Sequence, residues 1–247
     1  MSGCLIVTGG SRGIGAAIAR AAAREGWRVC LTYQNRADAA EEVVAAIEAE
    51  GGQALAVRAD AADTDAGPLF DRTEAAFGPV RGLVCNAAIT GGFARATTVK
   101  AETVRRVFEV NVFGLMAVCA EAVRRMSTAT GGVGGSIVAI SSTATKAGSP
   151  GEWVHYAASK GAVDVFVGGL AREVAAEGVR VNAVAPGTTL TDLHAEAGEP
   201  NRPERIAATV PMGRSATPEE VAEAALWLLS DKAAYVTGAI LPVAGGR

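Results

Sequence analysis

Two side chains that could exchange a proton with a bound molecule, Tyr156 and Lys160, lie four residues apart. On a helix this spacing places both on one face. A free tyrosine has a pKa near 10, whereas general acid–base work favours a pKa close to the operating pH. A nearby ammonium group in a partly dry site could supply the roughly 3–4 kcal/mol of phenolate stabilisation that this requires. Without further motifs, the pair is better explained as an ordinary surface contact on a helix than as a catalytic pair.

A glycine-rich turn near the N-terminus could hold a diphosphate. Residues 8–15, with the sequence TGGSRGIG, follow an apolar run and open a stretch of helical period. Gly9 allows a tight turn, Gly13 lets the backbone approach a diphosphate, and Gly15 lets the helix pack close to the strand. The first turn of such a helix also offers free N–H groups and a partial positive charge to phosphates.

The GxxxGxG spacing of this turn resembles that of the short-chain dehydrogenase/reductase superfamily. Five further segments, spread along the chain in the family's order, carry the same resemblance: Asn86-Ala87-Ala88, Asn111, Ser141-Ser142, Tyr156-Ala157-Ala158-Ser159-Lys160 and Pro186-Gly187. Ala88 departs from the family pattern, which usually has glycine there. The resemblance implies an oxidoreductase that transfers a hydride between a nicotinamide cofactor and a small-molecule carbonyl/alcohol pair.

The family's catalytic residues correspond to Ser142, Tyr156, Lys160 and Asn111. The resemblance implies that Tyr156 is the general acid or base, aided by the oxidised nicotinamide, and that Ser142 hydrogen-bonds the substrate oxygen. Lys160 would also hold the nicotinamide ribose, and Asn111 would kink its helix and anchor a water that relays protons to Lys160. The interval from Ser142 to Tyr156 is one residue longer than expected, which leaves Ser141 as a rival to Ser142.

The end of the second predicted strand indicates which nicotinamide cofactor the protein uses. An NAD enzyme of this fold usually ends that strand with Asp, where this chain has Tyr33. No carboxylate occupies this position to repel a 2′-phosphate, and Arg12 and Arg36 could bind one. We therefore expect the cofactor to be NADP(H), with NAD(H) as the alternative. Asp60 resembles the family's adenine-contacting Asp, or else belongs to a helix N-cap region. The expected cofactor contacts are Gly9, Ser11, Arg12, Gly13, Ile14, Gly15, Tyr33, Asn35, Arg36, Asp60, Ala61, Asn86, Ala87, Ala88, Tyr156, Lys160, Pro186, Gly187, Thr189 and Thr191.

The substrate pocket is expected to be walled by Trp153, Thr188, Leu190 and His194. His155 directly precedes Tyr156, so on a helix its side chain points about 100° away from that of Tyr156. We therefore interpret His155 as a structural residue. No metal site is expected, because the cysteines lack metal-ligand spacing.

The elements that must position these residues alternate along the chain. Apolar runs predict strands at 5–8, 29–33, 54–58, 83–86, 136–141, 179–184 and 240–243, and amphipathic stretches predict helices at 15–25, 37–50, 65–77, 101–126, 154–177 and 218–230. Continuous rather than alternating apolar runs indicate a parallel sheet covered on both faces. We therefore predict an α/β fold: one doubly wound Rossmann domain over 1–247, with about seven parallel strands. Residues 186–212 are polar and loop-like, which indicates a substrate lid or a plain insertion.

Composition and charge restrict the kinds of partner that this protein could bind. The 247 residues carry a net charge of −3 and no basic run, which argues against nucleic acid. The apolar stretch Val110 to Ala120 is too short to span a membrane. The start, Met1-Ser2-Gly3-Cys4, predicts no secretory signal, and the isolated cysteines indicate buried free thiols, so a cytoplasmic protein is expected. The resemblance implies a homotetramer, with a dimer as the alternative.

Three functional alternatives remain open. Within the family, both a 3-oxoacyl-carrier-protein reductase and a sugar or polyol dehydrogenase of the glucose type fit the sequence. An acidic carrier protein would need a basic docking patch, for which Arg124-Arg125 is the only candidate identified. From a different class, a non-catalytic NADP-binding sensor would keep the cofactor site and lack turnover.

Overall fold

The computed structural model describes residues 3–247; Met1 and Ser2, on which the expectation about a secretory signal partly rests, lie outside them. The described residues form a seven-stranded sheet in the order β3-β2-β1-β4-β5-β6-β7, and every pairing is parallel. The strands are β1 (Cys4–Val7), β2 (Arg28–Tyr33), β3 (Gln53–Arg58), β4 (Val80–Cys85), β5 (Gly135–Ile140), β6 (Val179–Pro186) and β7 (Ile240–Val243). This confirms the predicted Rossmann architecture.

Helices cover both faces of the sheet. They are α1 (Gly13–Arg24), α2 (Ala37–Ala49), α3 (Gly67–Phe77), α4 (Ala101–Phe108), α5 (Leu115–Met126), α6 (Ala144–Ala147), α7 (Val154–Val174), α8 (Leu193–Glu196), α9 (Arg202–Ala207) and α10 (Pro218–Leu229). One apolar core lies under α5 and α7, and a second lies under α1, α2 and α10. The central strands β1 and β5 are buried along their whole length, which explains why their sequences are continuously apolar.

The long middle helix is not uniform. Residues 101–126 were predicted as one helix, but a π-helical segment, Glu109–Gly114, separates α4 from α5. Gly114 packs directly against the chain that follows β3: a Cβ atom there would lie 1.6 Å from the carbonyl oxygen of Ala61. The extra residue in the π-turn shifts the helix register at Asn111, which is fully buried.

The 186–212 segment, predicted as loop-like, contains the short helices α8 and α9. Pro203 lies at the start of α9, where its missing N–H costs no hydrogen bond. Both helices were missed because each is too short to show an apolar period.

Two further findings concern the whole chain as described. All four cysteines are buried and none forms a disulfide. No helix within residues 3–247 is long and apolar enough to cross a membrane.

Candidate active site

The site lies at the carboxyl edge of the sheet, where the strand order reverses between β1 and β4. Ligands of open α/β sheets bind at such a switch point because the neighbouring connections diverge there. A cavity of about 810 Å³ opens at this edge, and residues that follow β1, β2, β3, β4, β5 and β6 line it.

The glycine-rich turn forms one wall of the cavity. Gly9 has φ +63°, and a Cβ there would lie 2.9 Å from Cα of Ala87. At Gly15 a Cβ would lie 2.3 Å from the carbonyl oxygen of Gly9, so only glycine allows α1 to start this close to β1. Arg12 does not cap α1 with its side chain, which leaves the first N–H groups of the helix free for an anion. The turn therefore fits the diphosphate of a dinucleotide.

Asn86 holds this turn in place. Its Nδ2 donates to the carbonyl oxygens of Thr8 at 3.0 Å and of Gly9 at 2.9 Å. The Thr8 hydroxyl in turn accepts from the backbone N–H groups of Asn86 and Ala87. The ends of β1 and β4 are thus locked together beside the cavity.

At the far end of the cavity the cationic side chains already have carboxylate partners. Arg12 forms a two-pronged ion pair with Glu196 of α8, and Arg36 pairs with Asp38 at 2.8 Å. Asp60 accepts from the backbone N–H of Ala62 and pairs with Arg106 of α4 at 3.0 Å. Asp60 does not cap a helix, because α3 starts only at Gly67.

The two serines after β5 point in different directions. Ser142 hydrogen-bonds the Tyr156 side chain and also accepts from the Ala144 backbone N–H. The Ser141 hydroxyl instead donates to Asp164 at 2.5 Å. The interval between Ser142 and Tyr156 contains α6 and a turn in which Ser149 has φ +45°.

Tyr156 and Lys160 lie on the buried side of α7, with Lys160 Nζ 5.8 Å from the centre of the Tyr156 ring. Burial raises the pKa of Tyr156 to about 12, against the opposing effects of the Ser142 hydrogen bond and the Arg202 charge. The lowered pKa expected for this tyrosine is therefore not produced by the protein's own groups. Burial also lowers the pKa of Lys160 to about 8, and its Nζ donates to the carbonyl oxygen of Ile140 at 2.6 Å.

Asn111 lies behind the cavity and hydrogen-bonds two neighbouring segments. Its Oδ1 accepts from the Ile89 N–H at 2.9 Å, while Nδ2 donates to the Ile89 carbonyl and to the Ser159 hydroxyl. The π-turn is thereby tied both to the chain after β4 and to α7. The side-chain amide uses both of its donor hydrogens in these bonds.

Aromatic side chains form the wall next to Tyr156. Trp153 stacks on Phe93 with ring centres 4.7 Å apart and lies 5.8 Å from the Tyr156 ring. His194 of α8 donates from Nε2 to the Thr189 carbonyl at 3.1 Å. His155 donates in the same way to Thr90 at 2.8 Å, on the outside of the cavity, which agrees with a structural role.

Most of the predicted site residues surround this one cavity. Three do not line it: Gly15 and Asn111 support it from behind, and Leu190 is about half exposed elsewhere. Sequence reasoning missed several lining residues, among them Arg106, Lys146, Ser149, Asp192, Glu196, Arg202 and Arg247. Arg202 had one usable signal, the following Pro203, which marks the first turn of a helix.

Known proteins are similar to this chain in fold and in sequence. A crystal structure of a short chain dehydrogenase from Burkholderia cenocepacia J2315 in complex with NADP superposes with a TM-score of 0.89 at 32% identity, covering 99% of this chain and 97% of that one. A family model described as "Enoyl-(Acyl carrier protein) reductase" matches residues 9–247.

Relatives extend over nearly the whole chain. The Escherichia coli (strain K12) protein named as the uncharacterized oxidoreductase YgfF is 47% identical, over 98% of both chains. An L-rhamnose 1-dehydrogenase (NAD(P)(+)) from Sphingomonas sp. (strain SKA58) is 38% identical over 98% of this chain and 94% of its own. A 3-oxoacyl-[acyl-carrier-protein] reductase from Synechocystis sp. (strain ATCC 27184 / PCC 6803 / Kazusa) is 39% identical over 98% and 95%.

The fold, the switch-point cavity and these relatives define an NAD(P)-dependent oxidoreductase. Within that class, the chain belongs to the short-chain dehydrogenase/reductase family.

Proposed function

We propose that the protein transfers a hydride between NADP(H) and a carbonyl/alcohol pair, with Tyr156 as the acid in reduction and the base in oxidation. The observation that carries the proposal is the convergence of Tyr156, Ser142 and Lys160 on the cavity that also contains the glycine-rich turn. When bound, the nicotinamide supplies the hydride donor or acceptor.

The proton chemistry follows from the environment of Tyr156. A phenol with a pKa of about 12 keeps its proton at neutral pH, which suits donation to the oxygen of a reduced carbonyl. Ser142, already hydrogen-bonded to that phenol, is placed to donate to the same oxygen and to stabilise its developing charge. The side-chain amide of Asn111 is fully engaged in hydrogen bonds within the protein. A proton relay from Asn111 to Lys160 would therefore have to start at the backbone carbonyl of Asn111.

We infer a preference for NADP(H) from the adenosine end of the cavity. Tyr33, at the end of β2, lines it without a carboxylate, while Arg12 and Arg36 line it with positive charge. A 2′-phosphate would compete with Glu196 for Arg12 and with Asp38 for Arg36, so both ion pairs limit the size of the preference. Both arginines are about half exposed, which makes such exchange inexpensive.

The substrate alternatives within the family are a sugar or polyol and an acyl thioester on a carrier protein. The names of the rhamnose dehydrogenase and of the carrier-protein reductase support one alternative each. Arg124 and Arg125 do not favour the carrier protein, because Glu121, Asp71 and Glu74 pair with them.

One experiment tests the proposal against the sensor alternative. Oxidation of NADPH is followed with a panel of ketones, aldehydes, sugars and acyl thioesters, and NADPH and NADH are titrated in parallel. We expect turnover with at least one carbonyl class and tighter binding of NADPH. Tight NADPH binding without any turnover would establish a sensor, and tighter NADH binding would contradict the assignment of Arg12 and Arg36.

A further inference from the structure

Arg202 brings a buried cation to the cavity wall beside Tyr156. It is the first residue of α9, lines the cavity, and is only 8% exposed. Burying a guanidinium is costly unless its donors are satisfied. Within residues 3–247 its hydrogen bond runs from Nη2 to Glu152 at 2.7 Å, and its Nε is buried without a partner. The side chain therefore keeps unused donor capacity at the site.

This guanidinium contacts the Trp153 ring, which is a neighbour of Tyr156. Its Cζ lies 4.6 Å from the centre of the Trp153 ring, which in turn lies 5.8 Å from the Tyr156 ring. The guanidinium and the Tyr156 ring are therefore no more than about 10 Å apart. The Ser215 hydroxyl donates to the Pro203 carbonyl at 2.8 Å and fixes the start of α9.

The carboxylate of Glu152 is divided between Arg202 and a second arginine. The second is Arg205, whose Nη2 lies 3.1 Å away and which also binds Glu199. Burial, and after it the charge of Arg202, lowers the pKa of His194. The same charge opposes the burial that raises the pKa of Tyr156. Both groups thus experience a positive potential from Arg202.

We propose that Arg202 anchors a carboxylate of the substrate, which makes the reacting molecule an oxo- or hydroxycarboxylate. The proposal rests on the oxidoreductase function proposed above and names its substrate class. A carboxylate is an acceptor for the unused guanidinium donors, and hydrogen bonds between two charged groups are short and strong. A separation of at most about 10 Å suits a chain of a few carbons between the carboxylate and the reacting carbon.

The test compares keto acids with their uncharged esters. The probes are 4-oxopentanoate, 5-oxohexanoate and 6-oxoheptanoate, each beside its methyl ester, with NADPH as reductant. The variant is Arg202→Met, and the matched control is Arg205→Met, which removes the other arginine that binds Glu152 but does not line the cavity. For wild type and control, we expect kcat/KM to favour the best acid over its ester by about tenfold or more; Arg202→Met removes this preference, as expected for a lost charged hydrogen bond.

A binding measurement keeps the anchor testable without turnover. Hexanoate cannot be reduced, and its Kd for the NADPH complex is measured by calorimetry. We expect Arg202→Met to weaken hexanoate about 10- to 100-fold and Arg205→Met to change it by less than about threefold. The carboxylate anchor is overturned if wild type reduces acids and esters with equal kcat/KM, or if Arg202→Met lowers kcat/KM for both to the same extent. Either result leaves the oxidoreductase function standing. Failure of every carbonyl compound to oxidise NADPH overturns that function instead, and the hexanoate measurement still decides the anchor.

Discussion

Burial dominates the proton affinities of the two residues that carry the proposed chemistry. It raises the pKa of Tyr156 to about 12 and lowers that of Lys160 to about 8. The tyrosine is thereby protonated at neutral pH, as a proton donor in carbonyl reduction must be, and its phenolate, the base needed in alcohol oxidation, is scarce. Oxidation therefore depends on positive charge beyond that of the protein's own groups, which an oxidised nicotinamide beside the phenol would supply.

The lowered pKa of Lys160 predicts how cofactor binding responds to pH. If the Lys160 ammonium holds the nicotinamide ribose, the charged form binds better, and that form is lost as pH rises through about 8. We expect the Kd for NADPH to be constant between pH 7 and 7.5 and to rise between pH 8 and 9.5. Fluorescence titration at fixed ionic strength measures it.

Lys160→Met is the control for this effect. The variant is expected to bind NADPH more weakly and without the rise above pH 8, because it lacks the ammonium group whose loss of charge causes that rise. A wild-type Kd that stays flat up to pH 9.5, or a variant that keeps the rise, would assign the pH dependence to another group.

The residues that sequence reasoning could find were those with a fixed spacing. Tyr156, Lys160 and the glycines of the turn are recognisable because geometry demands that spacing. Arg202 could not be found in this way, because it reaches the site only through a short helix in a polar segment. The pKa of Tyr156 also escaped prediction, since it depends on burial that the sequence does not display.

At the scale of elements, the π-turn between α4 and α5 connects the fold to the site. It turns Asn111 toward Ile89 and Ser159, and it brings Gly114 against Ala61 next to the cofactor cavity. Strands and long helices were predictable from apolar runs and amphipathic periods. The π-turn was not, because one inserted residue shifts the helical period too little to be seen in a single sequence.

Gly114→Ala tests this contact. A Cβ placed 1.6 Å from a backbone carbonyl oxygen cannot be accommodated by a side-chain movement, so the helix or the chain after β3 must shift. We expect the free energy of unfolding to fall by about 3 kcal/mol, at the upper end of the cost of overpacking, in urea titrations.

Gly67→Ala is the matched control for that substitution. Gly67 starts α3, and its nearest neighbour is the flexible, exposed side chain of Asp65 at 3.2 Å. It should change the free energy of unfolding by less than about 1 kcal/mol. Equal effects of the two substitutions would show that Gly114 is not required by packing.

At the scale of the whole molecule, several apolar side chains are exposed on α7 and on the π-turn and α5. Val154 and Val165 lie three turns apart on the same exposed face of α7, and Phe113 and Met116 are exposed on the neighbouring π-turn and α5. Apolar surface of this kind is typical of subunit interfaces. The homotetramer expected from the family resemblance stays a prediction, and these side chains are its candidate contact.

Light scattering after size exclusion tests the assembly. With a chain mass of 24.9 kDa, a tetramer has a mass of about 100 kDa. Val165→Lys should produce a smaller species because it places a charge in the contact. Val133→Lys, at a similarly exposed valine in the loop before β5, should leave the mass unchanged. A wild-type mass near that of one chain would contradict the tetramer.

The central claim is that Tyr156 transfers the proton, while the glycine-rich turn and Lys160 account for most of the cofactor affinity. Steady-state turnover of Tyr156→Phe, measured beside its NADPH affinity, tests this claim most directly. Removing one hydroxyl should lower kcat by at least about 100-fold, the usual contribution of a general acid. The Kd for NADPH should stay within about threefold, since the glycine-rich turn and Lys160 remain. A variant that keeps wild-type turnover would contradict the mechanism.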